Sequence, residues 1–375
     1  MRHIIAKRIK EARESLGLSQ QELATLMGWK SHSSIVAIEQ GQEIKAWELL
    51  KFAQVLRVLP ESLYSEEARE LSERPIVLWR QKSSDTTTIL KEEQNILKQC
   101  QDYRLVERLV GITSSSTQKL PIEKFDIESA NADWANRLAE QVQQDMRLGD
   151  YPAELLAKRL EEDYGVLLMS RSIEQGAAAC SRGEMGSAIV LNEKDVPWRQ
   201  VFSLAHELFH LITWDIPLIE KISKDEVLFR KNERLADAFA AALLMPQQMI
   251  DFDVRGNKLT YSLVVALARK YRVSTSAMLG RLSYLRYLPP SAFQQALNDE
   301  DFKKLDQATY RKAFQSAQIF GLRFIRLAYL AYEEGRLAKG RLAQMMGVTL
   351  RDVDAYLSEK GFCLTNDKEI EVGSS

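Results

Sequence analysis

Two histidines four residues apart, with a glutamate directly after the first, stand at His206-Glu207-Leu208-Phe209-His210. On a helix, positions i and i+4 share a face, so both imidazoles can reach one ion and Glu207 can reach a water on it. The sequence holds four histidines, and this motif takes two of them. The chemistry such a site performs is hydrolysis. Zinc lowers the pKa of its water toward neutrality and polarises a carbonyl, while Glu207 takes the proton and passes it to the leaving amine.

A catalytic zinc needs three protein ligands and one open position. Downstream, Glu233-Arg234-Leu235-Ala236-Asp237 places two carboxylates four apart on one helix face. Glu233 is the economical third ligand, and Asp237 the acceptor that holds a ligating histidine in the correct tautomer. The plainer reading is a solvated face that pairs with Lys231 or Arg234. Asp215 and Glu220 compete as ligands, in a segment that carries Pro217 and reads as loop. An oxyanion-stabilising donor is also required. Tyr261, Tyr271 and Arg199 are candidates, and nothing in the sequence chooses among them.

The elements that must position these groups can be read from periodicity. Trp198 to Ile212 is amphipathic and apolar, as a buried helix beneath a metal should be, and Asn232 to Leu244 forms a second helix that stops at Met245-Pro246. Helices over Ala130 to Met146 and Tyr151 to Tyr164 lead to candidate strands at Gly165 to Met169 and Ser187 to Leu191. Helices after Tyr261 and Ser274 complete an α+β domain over 126–290.

Residues 1–64 read as a bundle of short helices. Ile5, Ile9, Ala12 and Leu16 recur at helical spacing before Gly17, and Ser19-Gln20-Gln21-Glu22 is a capping-box pattern. Leu23 and Met27 point inward before Gly28. A third helix carries Ile35 and Ile38 before Gly41. Trp47, Leu50 and Ala53 mark a fourth, and Leu56 to Leu63 closes the unit. Between the two domains, 65–125 is a connector: a charged stretch Glu66 to Glu73, an extended Arg74-Pro75 to Arg80, a helix Leu90 to Val110 and a polar loop Thr113 to Thr117. The rest, 291–375, is a helical C-terminal region with a loose end at Val372 to Ser375. It holds a fainter helix-turn-helix pattern, Gly340 to Thr349 with Val353, Tyr356 and Leu357. A plain helical subdomain packed on the peptidase, with Gly347 as a C-cap, is the preferred reading, and no site is assigned there.

The chain has 375 residues, 45% hydrophobic and 27% charged, with a net charge of −1. That balance gives no whole-chain pull toward nucleic acid or membrane, so any nucleic-acid site is local. Cys100, Cys180 and Cys363 form no CxxC pair, which suggests neither a disulfide framework nor a thiolate zinc site. The charged start and the lack of a long apolar run give neither a secretory signal nor a membrane span. The cytoplasm is the expected location.

The stretches Phe202 to His210 and Asn232 to Pro246, the second ending in Leu-Leu-Met-Pro, resemble the ImmA/IrrE family of zinc metallopeptidase-like proteins. Ala188-Ile189-Val190-Leu191-Asn192 also fits, and the resemblance spans roughly 130–290. It implies a gluzincin-like site with His206, His210 and Glu233 on zinc, Glu207 as catalytic base, and a transcriptional repressor as the protein substrate. Phe209 departs from the family, which commonly has Gly there. It is expected to alter packing under the metal helix without touching the ligands.

The N-terminal bundle resembles the XRE (lambda-repressor-like) helix-turn-helix family through Leu18 to Ala24, Gly28 and Ile35 to Gly41. In that family the third helix enters the major groove of double-stranded DNA. Carried over, Gln20, Lys30, His32, Ser33 and Ser34 face DNA. Against this, no arginine and no further lysine lie between Lys30 and Gly41, and residues 1–64 hold nine Lys/Arg against seven Asp/Glu. The turn at Trp29-Lys30-Ser31-His32 is one residue longer than usual. A helix-turn-helix kept for dimerisation or for a partner repressor is the alternative use.

The expected architecture is therefore mainly α: an all-α N-terminal bundle, a zinc peptidase core with a small sheet, and a helical C-terminal region. The expected function is a regulatory zinc metallo-endopeptidase with a DNA- or partner-binding domain, a homodimer by default. The alternative is a DNA-binding regulator of antitoxin type whose metallopeptidase-like domain senses metal or binds a partner without turnover.

Overall fold

The computed structural model describes residues 2–15, 18–56, 58, 63–64, 76–79, 86–112, 118–173, 176–183, 186–305 and 321–362. The stretches 66–73, 113–117 and 372–375 read from sequence lie outside the described residues, as do Leu16, Gly17, Arg74, Pro75 and Arg80. The chain divides into two compact units, 1–101 with 181–186, and 102–180 with 187–375.

In the first unit, α1 (Arg2–Ser15), α2 (Gln20–Leu26), α3 (Ser33–Glu39) and α4 (Ala46–Val55) precede a short strand β1 (Ile76–Trp79). The capping box at the start of α2 is present: the Glu22 N–H donates to Ser19 Oγ (3.1 Å), and the Ser19 N–H donates to Glu22 Oε2 (2.7 Å). Gly28 ends that helix at φ +71°, a left-handed conformation that glycine adopts without strain. The core gathers Ile9, Ala12, Leu23, Met27, Ile35, Ile38, Phe52 and Leu56. Of the three residues that mark α4 in the sequence, Ala53 is buried, whereas Trp47 and Leu50 point outward and are more than half exposed. Behind α3 lies a buried ion pair. Arg13 Nε donates to Glu39 Oε1 (2.6 Å), and Gln20 Nε2 donates to Glu39 Oε2 (2.8 Å).

The second unit begins within α5 (Thr86–Leu109) and continues through α6 (Ala132–Asp145) and α7 (Pro152–Glu162) to a small sheet. The strands there are β2 (Leu167–Arg171), β3 (Ala178–Gly183) and β4 (Gly186–Asn192), with β4 between β3 and β2; the end of β3 and the first residue of β4 are counted in the first unit. β2 and β4 run parallel, Leu167 opposite Ala188 and Arg171 opposite Asn192. Then come α8 (Pro197–Ile212), α9 (Ile216–Lys224), α10 (Glu226–Leu244), α11 (Gln247–Val254), α12 (Tyr261–Lys270), α13 (Thr275–Tyr284), α14 (Pro290–Asn298), α15 (Leu322–Glu333), α16 (Lys339–Met346) and α17 (Val353–Glu359). α10 packs between α6 and α8.

Two sequence expectations need correction. The segment at Asp215 to Glu220 is helical rather than loop, because Pro217 sits in the first turn, where a missing N–H costs nothing, and Asp215 caps it. α10 also starts six residues before Asn232, because Asp225 accepts from the N–H groups of Val227 (2.8 Å) and Leu228 (3.1 Å).

The end of α5, α7 and α15 meet in a buried polar network. Arg323 Nη1 donates to Glu107 Oε1 (2.7 Å) and to the Tyr103 hydroxyl (3.1 Å), which in turn donates to Glu161 Oε1 (3.3 Å). Burial pushes the Glu161 carboxyl up to about 7, against the pull of the Arg323 charge. In the unfolded chain it titrates near 4.5. The folded state therefore holds the extra proton between those values: the contribution is fully present below the lower one and is lost as pH rises through the upper one. Glu161→Gln, neutral at every pH, is expected to stabilise the protein by about 2 kcal/mol at about pH 8 and to change nothing near pH 4. Urea unfolding at both pH values checks this, and an equal effect at the two would rule out the burial account.

The C-terminal helices repeat the hydrogen bonding of the first unit. Gly28 donates to Thr25 O and Trp29 to Ala24 O; Gly347, at φ +70°, donates to Gln344 O and Val348 to Ala343 O. At the ends of α3 and α17, Gly41 donates to Ile38 O and Gln42 to Ala37 O, while Gly361 donates to Ser358 O and Phe362 to Leu357 O. Leu342 and Ala343 are buried like Leu23 and Ala24. Gly347 is thus the C-cap expected of it.

Candidate metal centre

α8 is buried along most of its length, from Trp198 to Ile212, with His206 and Glu207 fully enclosed. Beside it, α10 brings Glu233 and Asp237 to the same place. One donor atom each from His206, His210 and Glu233 lies within 4.8 Å of the other two. His206 Nε2 is 3.4 Å from Glu233 Oε2, and His210 Nε2 is 3.3 Å from Glu233 Oε1. Burial alone pushes the Glu233 carboxyl up, but the hydrogen bonds and charges of the two histidines outweigh it and hold it at about 2. Glu233 is therefore an anion. Two imidazole nitrogens and a carboxylate oxygen form a donor set that zinc accepts, with room for a fourth ligand.

Each histidine has a partner behind it. His206 Nδ1 is 2.8 Å from Asp237 Oδ1, and His210 Nδ1 is 3.3 Å from Asn232 Nδ2. Asn232 was not singled out by the sequence; its contact with His210 exists only because α8 and α10 lie side by side. Lys231 does not pair with Glu233 as the plainer reading would have it, but donates to the Glu128 carbonyl (2.7 Å).

Both carboxylate oxygens of Glu207 are buried and find no hydrogen-bond partner among the described residues. Cys180 on β3 interacts with it: burial first, then the Glu207 charge, pushes that thiol well up. Neither β3 nor this neighbour was foreseen from sequence.

Phe209 does touch a ligand, contrary to expectation. Its ring meets the His210 ring edge-on with centroids 5.6 Å apart, and packs against Phe125, Trp134 and Phe239. Phe209 thus fills the space beneath α8 with an aromatic cluster. The oxyanion candidates are engaged elsewhere: Tyr261 donates to Asp299 (2.9 Å), Tyr271 to Asp253 (2.8 Å), and Arg199 pairs with Asp195 (3.6 Å).

In the first unit, Lys30, His32, Ser33 and Ser34 are exposed where the chain enters α3. His32 Nδ1 lies 3.0 Å from Gln21 Oε1, and the Ser33 N–H donates to Ser31 Oγ (3.2 Å). Gln20 turns its amide nitrogen inward to Glu39.

A helix with two histidines and a glutamate, completed by a glutamate from a neighbouring helix, defines a metallopeptidase-like domain. Residues 161–283 match the peptidase family model described as the IrrE N-terminal-like domain, and residues 9–63 match the helix-turn-helix model. The comparison with curated proteins found no match. The chain thus carries a metallopeptidase-like domain and an N-terminal helix-turn-helix domain of the DNA-binding kind, a combination that supports a regulatory protein. Among the described residues, no helix is long and apolar enough to cross a membrane.

Proposed function

We propose that the chain is a cytoplasmic regulatory zinc metallo-endopeptidase that cleaves a transcriptional repressor or related regulator. One observation carries this reading: the three-donor cluster stands next to a fully buried Glu207 that is not one of the three donors, and whose carboxylate faces a thiol, Cys180, and no cation. A binding module needs the donors but no general base. An unsatisfied buried carboxylate costs stability, and such violations are kept where chemistry needs them.

His206, His210 and Glu233 hold the ion, and Asp237 keeps His206 in the ligating tautomer. When bound, zinc supplies Lewis acidity for water and carbonyl. Glu207 accepts the proton of the attacking water and returns it to the leaving amine. The N-terminal domain addresses double-stranded DNA through Lys30, His32, Ser33, Ser34 and Gln20, as a homodimer, or docks a partner of its own fold. We divide the chain into that domain (1–64), a connector (65–125), the peptidase (126–290) and a helical C-terminal region (291–375).

The test is zinc content of the purified chain, followed by incubation with candidate helix-turn-helix repressors. One zinc per chain and fragments that disappear with chelator are expected. Bound zinc without cleavage of any repressor would favour a regulator that senses metal without turnover, and a chain that takes up no zinc ends both readings.

A further inference from the structure

α15 is joined to the helices before it at one buried cluster of polar side chains. Its start lies on the sheet: at Gly321, φ +81°, an added Cβ would stand 3.2 Å from the Leu168 carbonyl of β2. Two residues on, Arg323 donates to Glu107 (2.7 Å) and to the Tyr103 hydroxyl (3.1 Å), both on α5. Tyr103, Glu107 and Arg323 are all buried. The helices around this cluster are anchored unequally. α7 packs on β2, α8 and α10, whereas α15 packs chiefly on α16.

The group of the cluster that changes charge near neutrality is Glu161. Tyr103 accepts from Arg323, so its own hydrogen goes to Glu161 Oε1 (3.3 Å). Burial keeps that phenol protonated. Arg323 stays charged at any working pH and lies over the Tyr103 ring, 5.5 Å from its centre. The other charges that act on Glu161 are Arg326 of α15 and Glu162 beside it, which stand 3.7 Å apart. Glu107, the second carboxylate of the cluster, is shared by Arg104 and Arg323. These groups come from α5, α7 and α15, the three helices that meet there. Glu161 is enclosed as a neutral acid, and its ionised form needs water that the closed cluster withholds. Lifting α15 admits that water, because α7 is held by three other elements.

We propose that the cluster is a proton-operated latch: protonated Glu161 keeps α15 and the helices after it seated on α5 and α7, and ionised Glu161 lets them lift. The sign follows from linkage. The seated state holds the proton up to about pH 7, whereas the freed side chain gives it up near 4.5. The equilibrium constant for lifting therefore rises about tenfold per pH unit between those values and levels off above them. The latch bears on α7, which packs on both helices that carry the metal donors. It needs no metal, and it stands whether or not the centre holds one.

Hydrogen exchange of the full chain tests this, with rates corrected for the pH dependence of an unprotected amide. From about pH 5 to about pH 8 the protection of the α15 amides, Ile325 to Ala331, is expected to fall roughly 50–100-fold. At the higher pH that exchange should be indifferent to low urea, the mark of an opening that exposes little surface. Exchange in α10 should climb with urea. Glu161→Gln, neutral throughout, should keep α15 equally protected at both pH values, and Glu162→Gln should retain the fall. The latch is overturned by a wild-type α15 as protected at the higher pH as at the lower. It is also overturned by α15 exchange that climbs with urea as steeply as that of α10, or by a Glu161→Gln that retains the pH dependence.

Discussion

Glu207→Gln is expected to slow cleavage by roughly 10²–10⁴-fold, the usual contribution of a general base, while leaving zinc content unchanged. The separation follows from geometry. The three donor atoms that could hold an ion come from His206, His210 and Glu233, and Glu207 is not among them. Its oxygens are buried, with the weakly donating Cys180 thiol beside them and no cation to hold them, and can take a proton from water. An amide of the same shape cannot take it. Gln also removes a carboxylate buried without a partner, so the variant should melt no lower than wild type, as expected where activity and stability pull apart. It should hold its substrate in a pull-down without releasing products. A variant that cleaves at the wild-type rate, or that loses zinc together with activity, would defeat this assignment of the base.

The second large effect falls on the helix-turn-helix domain. Arg13→Ala is expected to cost about 3 kcal/mol, because it leaves a buried glutamate without its cation. Arg13 is 8% exposed, and the side chain of Glu39 is 4% exposed. After the change Glu39 keeps only the Gln20 amide. Since Glu39 is the last residue of α3, the loss falls on the helix that carries Ser33 and Ser34. Hydrogen exchange of the α3 amides reads it directly: about 3 kcal/mol is roughly a hundredfold faster exchange. Unchanged protection at Ile38 would show that the pair adds nothing. A double variant in which Met replaces Arg13 and Leu replaces Glu39 should recover much of the loss, since apolar groups can replace a buried pair.

Much of the site was legible because it is local. The spacing of His206 and His210 is a property of one helix, and Glu233 and Asp237 share a face four residues apart. Asn232 was hidden because its contact with His210 depends on how α8 and α10 lie against each other, which no spacing within one helix encodes. β3 escaped notice for another reason: Ala178-Ala179-Cys180-Ser181-Arg182-Gly183 lacks the β-branched and aromatic residues that announce a strand. Pro217 was read as a breaker, although in a first turn it is a helix opener. Trp47 and Leu50 show the limit of periodicity, since it marked α4 correctly and could not say that two of its apolar residues face outward.

The repeated turn near the C-terminus has a consequence for how such chains are counted. The turn by itself marks a helix end and no reader of nucleic acid, since Gly111, Arg147, Arg272, Arg286 and Gly335 close their helices with the same pair of bonds. At the C-terminal end several cations are engaged: Arg341 pairs with Asp102 (2.6 Å), Lys339 with Asp354 (2.7 Å), and Arg323 with Glu107 (2.7 Å). Charge already spent inside a protein cannot displace counterions from a phosphate backbone. The same pair of bonds thus closes helices along the whole chain, and what each end binds is decided by side chains and not by the shape of the turn.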